Sequence, residues 1–213
     1  MFHVKPPPHE PEPEGATLVF GERIELARQY TADLASRGEE LGLIGPLELP
    51  RLWTRHVLNS GLVAPLIDVG PVADVGSGAG LPGIPLAIIK EDVRFVLIEP
   101  MERRVEWLRH EAAELGLDNV TVLRGRAEEV HTGEAMAQVT ARAVSALSKL
   151  IPITVGLLAR GGELVFMKGA RVQDEVEAAQ KVIRKHHLTN VEVVTLGEGI
   201  TPEVTRVFRA TVD

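Results

Sequence analysis

The sequence contains no cysteine and no apolar run long enough to cross a membrane. Without cysteine the chain forms neither disulfide scaffolds nor cysteine-ligated zinc or iron–sulfur sites, and it has no thiol nucleophile. Glycine, proline or charged residues interrupt the apolar stretches well short of the roughly 18 residues that a membrane span needs. The N-terminus also lacks the apolar core of a signal peptide, so we expect a cytoplasmic protein without a membrane partner.

An excess of basic charge is missing as well. The 23 lysines and arginines are outnumbered by 30 aspartates and glutamates, which gives a formal net charge of −7. This balance argues against a protein that coats nucleic acid over its whole surface, although it permits a local basic patch. Hydrophobic residues at 45% and charged residues at 25% are ordinary globular values, so collagen-like, coiled-coil and largely disordered chains are excluded.

Composition and periodicity divide the chain into three regions. Residues 1–16 are rich in proline and glutamate, which predicts a disordered tail. Residues 17–69 carry apolar side chains at helical spacing and predict a helical extension, with helices over about 17–38 and 51–65. In residues 70–213 short apolar runs alternate with helical stripes, as in a parallel sheet built from strand-helix-strand units. The predicted strands are 72–75, 94–98, 120–123, 138–142 and 163–167, followed by β-like runs at 191–196 and 204–211.

The most specific motif lies between the first predicted strand and the helix after it. Asp74 is followed by three alternating glycines, Gly76, Gly78 and Gly80. Glycines allow a tight turn and a close backbone approach to a ligand, and the N-terminus of a helix offers unpaired N–H groups. The motif therefore predicts a nucleotide-like ligand, with a tight turn that binds nothing as the alternative. Leu81 stands where the dinucleotide fingerprint needs its third glycine, which disfavours nicotinamide and flavin.

Polar residues follow the other predicted strands. Glu99 ends the second strand, 23 positions after Gly76, where an acidic residue can accept hydrogen bonds from a ribose diol. The later strands are followed by 124–128, Arg142 and Lys168. Ligands of open α/β sheets bind at the carboxyl ends of the strands, so these residues predict one site. Each of them, taken alone, is also compatible with a solvated loop.

Six segments, taken in order, resemble the bacterial small-subunit rRNA methyltransferase G family, also called glucose-inhibited division protein B. They are 51–60, 74–85, 99–100, 125–129, 140–143 and 168–169, and the resemblance runs from about Phe20 to the end of the chain. It implies an α/β class I methyltransferase with a Rossmann-like sheet of seven strands, the last antiparallel, preceded by the helical extension. The implied reaction is S-adenosylmethionine-dependent methylation of N7 of a guanine in 16S rRNA.

The resemblance also implies which residues surround S-adenosylmethionine. The glycine loop and Leu81 would contact its methionine and ribose portions, Glu99 the ribose hydroxyls, and residues 127–128 the adenine. Arg142 would lie at the reactive edge, and Arg142 and Lys168 are the candidates for a direct catalytic role. The implied cofactor-binding set is Gly76, Gly78, Gly80, Leu81, Glu99, Ala127, Glu128 and Arg142.

Methylation at N7 needs little from the protein in the way of acid–base chemistry. Guanine N7 has an available lone pair at neutral pH, so catalysis can rest on proximity, alignment and nearby dipoles. The sequence has no cysteine for the covalent attack of carbon-5 pyrimidine methylation. After the fourth predicted strand it has residues 140–143, Thr-Ala-Arg-Ala, and not the Asn/Asp-Pro-Pro-aromatic motif of exocyclic amine methylation.

A basic helix face is the candidate surface for RNA. Arg51, Arg55 and Asn59 are four residues apart and would share one face of the predicted helix, with His56 beside them. Such a face can hold phosphates, and a solvated helix flank is the alternative. Lys168 would pair either with phosphate or with an internal carboxylate. The expected partner is 16S rRNA or an assembling small subunit, and we expect a monomer.

Two further residue types carry no site in this interpretation. Trp53 and Trp107 lie within helical stripes and are expected in the core. The seven histidines show no ligand spacing, so no metal site is predicted. Three other functions remain open at this point: the same cofactor chemistry on another RNA position or a small molecule, a nicotinamide-dependent oxidoreductase, and a non-catalytic S-adenosylmethionine-binding or RNA-scaffolding protein.

Overall fold

A computed structural model describes residues 10–68 and 70–213 and shows a seven-stranded mixed sheet. Its strands are β1 (Val72–Val75), β2 (Phe95–Glu99), β3 (Val120–Arg124), β4 (Met136–Arg142), β5 (Leu158–Lys168), β6 (Leu188–Leu196) and β7 (Thr205–Val212). They lie in the order β3-β2-β1-β4-β5-β7-β6. The strands β1 to β5 are parallel, whereas β7 is antiparallel to both β5 and β6. The predicted sheet of seven strands with the last one antiparallel is thus confirmed.

Short helices connect and precede these strands. The α-helices are α1 (Gly15–Phe20), α2 (Ile24–Arg37), α3 (Asn59–Gly61), α4 (Gly83–Ile89), α5 (Glu102–Glu114), α6 (Leu147–Thr154), α7 (Val172–Ala178) and α8 (Gln180–Lys185). Turns of 3₁₀-helix cover Gly21–Arg23, Pro46–Arg51, Ala64–Leu66 and Val155–Leu157, and Leu52–Leu58 is π-helical and is called the π segment below. Within the described chain, none of the helices is both long enough and apolar enough to span a membrane.

The sheet lies between two helical layers. Alternate side chains of a strand point to opposite faces, and here the even and odd positions of β5 enter different cores. Val165 packs with α4, α5 and the N-terminal helices, whereas Phe166 packs with α6, α7 and α8. The helical extension and one face of the sheet therefore share a single apolar core. This packing places the extension beside the carboxyl ends of the parallel strands.

The predicted helices differ from the observed ones at three points. The first is interrupted by the turn at Gly21, whose φ of +53° disfavours other residues. The second is π-helical where an α-helix was predicted, so its hydrogen bonds join residues five apart. The last stripe breaks at Ala179, between α7 and α8.

The predicted tail falls partly outside the described residues. Residues 1–9 lie outside, whereas residues 10–16 contact the extension. The carboxylate of Glu10 accepts hydrogen bonds from the N–H and the hydroxyl of Thr54, at 2.9 and 2.8 Å. Glu12 pairs with Arg28 at 2.6 Å. Glu10 and Glu12 thus make polar contacts with the helical extension, and Ala16, in the first turn of α1, is buried in the core.

Candidate functional site

The glycine loop adopts a backbone that favours glycine at three positions. Gly76, Gly78 and Gly80 have φ values of +70°, +57° and +104°, where other residues are strained. A Cβ on Gly80 would lie 2.4 Å from Cδ1 of Ile84, so close packing also requires glycine there. A Cβ on Gly78 would meet no atom nearer than the Gly76 carbonyl oxygen at 3.8 Å. The loop is therefore packed on its inner side at Gly80 and has room for a ligand at Gly78.

Glu99 joins the ends of three strands. Its carboxylate is 2% exposed, and it accepts hydrogen bonds from the N–H of Gly78 and the N–H of Met101, both at 3.0 Å. Its backbone carbonyl accepts a bond from Gly125, which leads to the buried Ala127 and the exposed Glu128. The structure thus brings the glycine loop, Glu99 and the predicted adenine-side residues to one edge. Each carboxylate oxygen retains a lone pair that can accept a hydroxyl.

Asp74 lies fully buried beneath the loop. One carboxylate oxygen accepts the N–H of Gly83 at 3.1 Å, and the other has no partner among the described residues. Burial raises the pKa of Asp74 to about 7, although the hydrogen bond from Gly83 acts in the opposite direction. The pair Asp74–Gly83 fixes the distance between β1 and the start of α4, and so holds both ends of the loop.

Arg142 extends from β4 to the π segment. Its guanidinium donates to the carbonyl oxygens of Arg55 and His56, at 3.0 and 3.3 Å, and contacts the hydroxyl of Ser60 at 3.4 Å. Burial lowers the pKa of Arg142 to about 10, so the group stays charged at neutral pH. A predicted cofactor residue and the predicted RNA-binding segment are therefore in direct contact, which the sequence did not predict.

His56 lies between a cation and an anion. Its Nδ1 is 2.6 Å from the Arg142 guanidinium, and its Nε2 is 2.7 Å from the carboxylate of Glu48. Burial, together with the charge of Arg142, lowers the pKa of His56 to about 4. Because a guanidinium only donates, Nδ1 must accept and Nε2 must carry the hydrogen that is donated to Glu48. His56 is thus neutral at pH 7, and it adds no positive charge for phosphate.

The other predicted RNA-binding side chains are also partly engaged. Arg51 lies 2.6 Å and Arg55 3.5 Å from Glu48, and Arg55 also lies 3.8 Å from Glu203, although both arginine side chains remain more than two-fifths exposed. Asn59 accepts a hydrogen bond from the hydroxyl of Thr205 at the start of β7. Glu48 therefore faces both guanidiniums and Glu203 faces that of Arg55, so the basic face keeps less charge than the sequence indicates.

Lys168 contacts an internal carboxylate. Its ammonium lies 2.7 Å from Glu175 and 2.8 Å from the carbonyl oxygen of Ser145, and its side chain is 9% exposed. Glu175 also accepts the N–H of Leu147, at the first residue of α6. Of the two alternatives for Lys168, the structure contains the carboxylate partner. Lys168 thereby fixes the turn after β4, which contains the exposed Val144 next to Gly76.

Three contributors to this edge were missed from the sequence: Glu48, Glu175 and Val144. The spacing of Glu48 three residues before Arg51 was a local signal that could have identified their pairing. Glu175 and Val144 reach the site only through the tertiary fold, and no sequence pattern marks them.

Two other features lie away from this edge. A cleft of about 440 Å³ opens at the amino end of β5 and contains none of the predicted site residues. Its lining residues are Val155, Gly156, Arg160, Lys185, His186, His187, Val212 and Asp213. Over residues 10–68 and 70–213, His, Asp and Glu side chains form no group of three or more that could hold a metal ion.

Solved structures with low sequence identity share the fold. The tRNA (m1A58) methyltransferase TrmI of Aquifex aeolicus is 15% identical, with a TM-score of 0.57 over 73% of this chain and 68% of its own. TYW2 of M. jannaschii, solved in complex with AdoMet, is 19% identical, with a TM-score of 0.58 over 75% of this chain and 76% of its own. The sheet order, with a glycine loop after β1 and an acidic residue ending β2, defines a class I methyltransferase fold.

The chain belongs to the rRNA small subunit methyltransferase G family, whose model matches residues 23–204. It is 64% identical to "Ribosomal RNA small subunit methyltransferase G" of Clavibacter sepedonicus, over 95% of this chain and 96% of that protein. The protein of the same name from Leifsonia xyli subsp. xyli is 61% identical, over 95% and 97%. The resemblance stated from the sequence is confirmed.

Proposed function

We propose that the protein transfers the methyl group of S-adenosylmethionine to N7 of a guanine in 16S rRNA. The observation that carries this proposal is membership of the rRNA small subunit methyltransferase G family over almost the whole chain, with a glycine loop and Glu99 joined at the carboxyl edge of the sheet. The proposal places the reaction in the cytoplasm, on free 16S rRNA or an assembling small subunit, with the protein acting as a monomer.

The residues at this edge fit S-adenosylmethionine. Gly78 leaves open space where a side chain would stand, and Glu99 has unused lone pairs for ribose hydroxyls. Gly76, Gly80 and Leu81 would complete the loop side of the site, and residues 127–128 the adenine side. When bound, S-adenosylmethionine supplies an electrophilic methyl group on a sulfonium. The unpartnered oxygen of Asp74 is a further acceptor beneath the loop.

The chain contributes position and charge, without removing a proton. Guanine N7 already carries a lone pair, so no general base is required. Holding the two reactants in line can contribute about 7 to 11 kcal/mol of the barrier in favourable cases. Positive charge moves to the guanine during transfer, and the carboxylates of Asp74 and Glu99 are the nearby groups that would favour it. Arg142 would orient the reactive edge, and Lys168 would act indirectly by fixing the turn after β4.

The exposed guanidiniums of Arg51 and Arg55 would hold phosphates of the RNA. They lie on the extension, which Arg142 connects to β4 and therefore to the cofactor edge. Because Glu48 compensates part of their charge, we expect moderate affinity that falls with salt. Neutral His56 and the hydrogen-bonded Asn59 would support this surface and would contribute little to phosphate binding themselves.

The test uses purified protein, labelled S-adenosylmethionine, and either 16S rRNA or small subunits that lack the modification. The RNA is digested to nucleosides and analysed by mass. We expect 7-methylguanosine, in free RNA or in subunits. Transfer to neither RNA form, with cofactor binding confirmed by calorimetry, would contradict the proposed substrate and favour a small molecule or a non-catalytic role.

A further inference from the structure

The carbonyl oxygen of Ala79, at the centre of the glycine loop, accepts two hydrogen bonds from side chains outside the loop. The hydroxyl of Tyr30 on α2 donates at 3.0 Å, and the indole N–H of Trp107 on α5 donates at 2.8 Å. Both side chains are almost fully buried, with 0% and 2% exposure. A carbonyl oxygen has two lone pairs, so this acceptor is saturated from two different elements.

These bonds fix one peptide unit of the loop at both ends. The N–H of the same unit, that of Gly80, donates to the carbonyl of Ser77 at 2.7 Å. The loop N–H groups of Gly76, Ser77, Gly78, Gly80 and Leu81 all donate within the protein. Among the described residues, none accepts the N–H of Ala79. The loop therefore offers one backbone donor to a ligand, on the residue whose carbonyl Tyr30 and Trp107 hold.

Tyr30 keeps the proton that this bond needs. Burial raises the pKa of Tyr30 well above its usual value, and the nearby charge of Glu111 acts in the same direction. The hydroxyl therefore remains a donor throughout the range in which the protein is assayed. Without it, a buried carbonyl loses one of two partners, and the loop gains freedom at the position where the ligand must bind.

We infer that Tyr30 of the helical extension, together with Trp107, is a positioning residue for the cofactor loop, acting through the Ala79 carbonyl. The inference rests on the proposed function, because it assigns the loop to S-adenosylmethionine. It gives the extension a second role besides RNA binding: α2 holds the loop in the conformation that binds the cofactor.

The test compares two variants that each remove one buried hydroxyl from α2. Tyr30→Phe removes the donor to Ala79, whereas Thr31→Val removes a hydroxyl that bonds only to Ala27 within the helix, at 2.7 Å. Calorimetry with S-adenosylmethionine, thermal unfolding, and methyl-transfer kinetics are measured for the wild type and both variants. We expect Tyr30→Phe to weaken cofactor binding about fivefold and to raise KM for the cofactor, with KM for RNA unchanged. Thr31→Val should bind the cofactor like the wild type.

Amide hydrogen exchange separates positioning from general destabilisation. Exchange of peptides covering residues 76–82 should rise in Tyr30→Phe more than in Thr31→Val when both variants are compared under conditions that give them the same free energy of unfolding. Equal cofactor affinity in the two variants, or equal exchange, would overturn the inference. Wild-type protein that binds no S-adenosylmethionine would overturn the proposed function itself, which is a distinguishable result.

Discussion

The glycine loop at residues 76–81 and the π segment at Leu52–Leu58 border the same edge of the sheet, but they are built in different ways. The loop is defined by its backbone, since three positive φ values and hydrogen bonds of its own amides set its shape. The charge of the π segment depends on side chains outside it, because Glu48 contacts Arg55 and His56 and Arg142 contacts His56. A site formed by backbone atoms can be predicted from a short motif, whereas the net charge of a basic face depends on which partners the fold places beside it.

The largest expected effect tests the backbone side of this comparison. Gly78→Val places a β-branched residue at φ +57° and fills the open side of the loop. We expect affinity for S-adenosylmethionine to fall at least about 100-fold, or about 2.7 kcal/mol. Gly116→Val is the control, because Gly116 has a φ of +60° and open surroundings at the end of α5. Calorimetry showing equal losses in the two variants would place the ligand elsewhere.

The second prediction concerns how the stability of the protein depends on pH through the buried His56. His56 has a pKa of about 4 when folded and about 6.5 when unfolded, so the unfolded chain binds more protons between these values. This contribution to stability is present above pH 6.5 and is lost as the pH falls towards 4, by about 1 to 3 kcal/mol. The contribution of Asp74 to the pH dependence of stability has the opposite sign. Its raised pKa favours folding at low pH, and this stabilisation is lost as the pH rises through about 7.

Replacing His56 isolates its part of the pH profile. His56→Gln keeps an acceptor for Arg142 and a donor for Glu48 but does not titrate, so we expect its free energy of unfolding to fall less than that of the wild type between pH 6.5 and 4.5. His110→Gln replaces an exposed histidine on α5 and serves as the control. Denaturant unfolding at several pH values measures the difference, and parallel wild-type and His56→Gln profiles would contradict the assignment.

The third prediction tests whether the exposed guanidiniums bind RNA. Arg51→Glu with Arg55→Glu should weaken RNA binding about tenfold, because two phosphate partners become repulsive, and should leave S-adenosylmethionine binding unchanged. The slope of log affinity against log salt should become shallower by about 0.7 to 0.9 for each phosphate that the variant no longer neutralises. Lys181→Glu with Arg184→Glu, two exposed residues of α8 on the opposite helical layer, is the charge-matched control. Filter binding over a salt series gives both the RNA affinity and the slope. An unaltered slope would contradict the proposal that Arg51 and Arg55 bind phosphates.

The smallest expected effect comes from the carboxylate that compensates this face. Glu48→Gln keeps a hydrogen-bond acceptor for His56 but removes the charge opposite Arg51 and Arg55. We expect RNA affinity to rise about threefold and its salt dependence to steepen, since exposed ion pairs contribute little to stability themselves. The same filter-binding series measures it. Weaker RNA binding in Glu48→Gln would mean that Glu48 orients the arginines and does not merely compensate them.

Local patterns predicted much of the sheet and the loop. Most strands were placed to within three residues by apolar runs between turn signals, although β5 begins five residues before its predicted start, and the loop was placed by three glycines after Asp74. The helix predicted over 51–65 is present, but residues 52–58 form the π segment, whose hydrogen-bond spacing differs from that of the assumed α-helix. His56 was taken for a phosphate contact, yet burial between Arg142 and Glu48 makes it neutral. Apolar periodicity indicates which side chains face the core, and it does not show which charges meet between segments that lie far apart in the chain.

The sequence by itself determined the class of the fold, the family and the backbone of the glycine loop, because these depend on residue spacing and on the conformational freedom of glycine. Only the tertiary structure decided which partners Arg142 and Lys168 have, and that Tyr30 reaches the Ala79 carbonyl. Those contacts join residues far apart in the chain. The physical reason is that the strength and even the sign of a polar contact depend on burial and on the neighbouring charges, which exist only once the chain has folded.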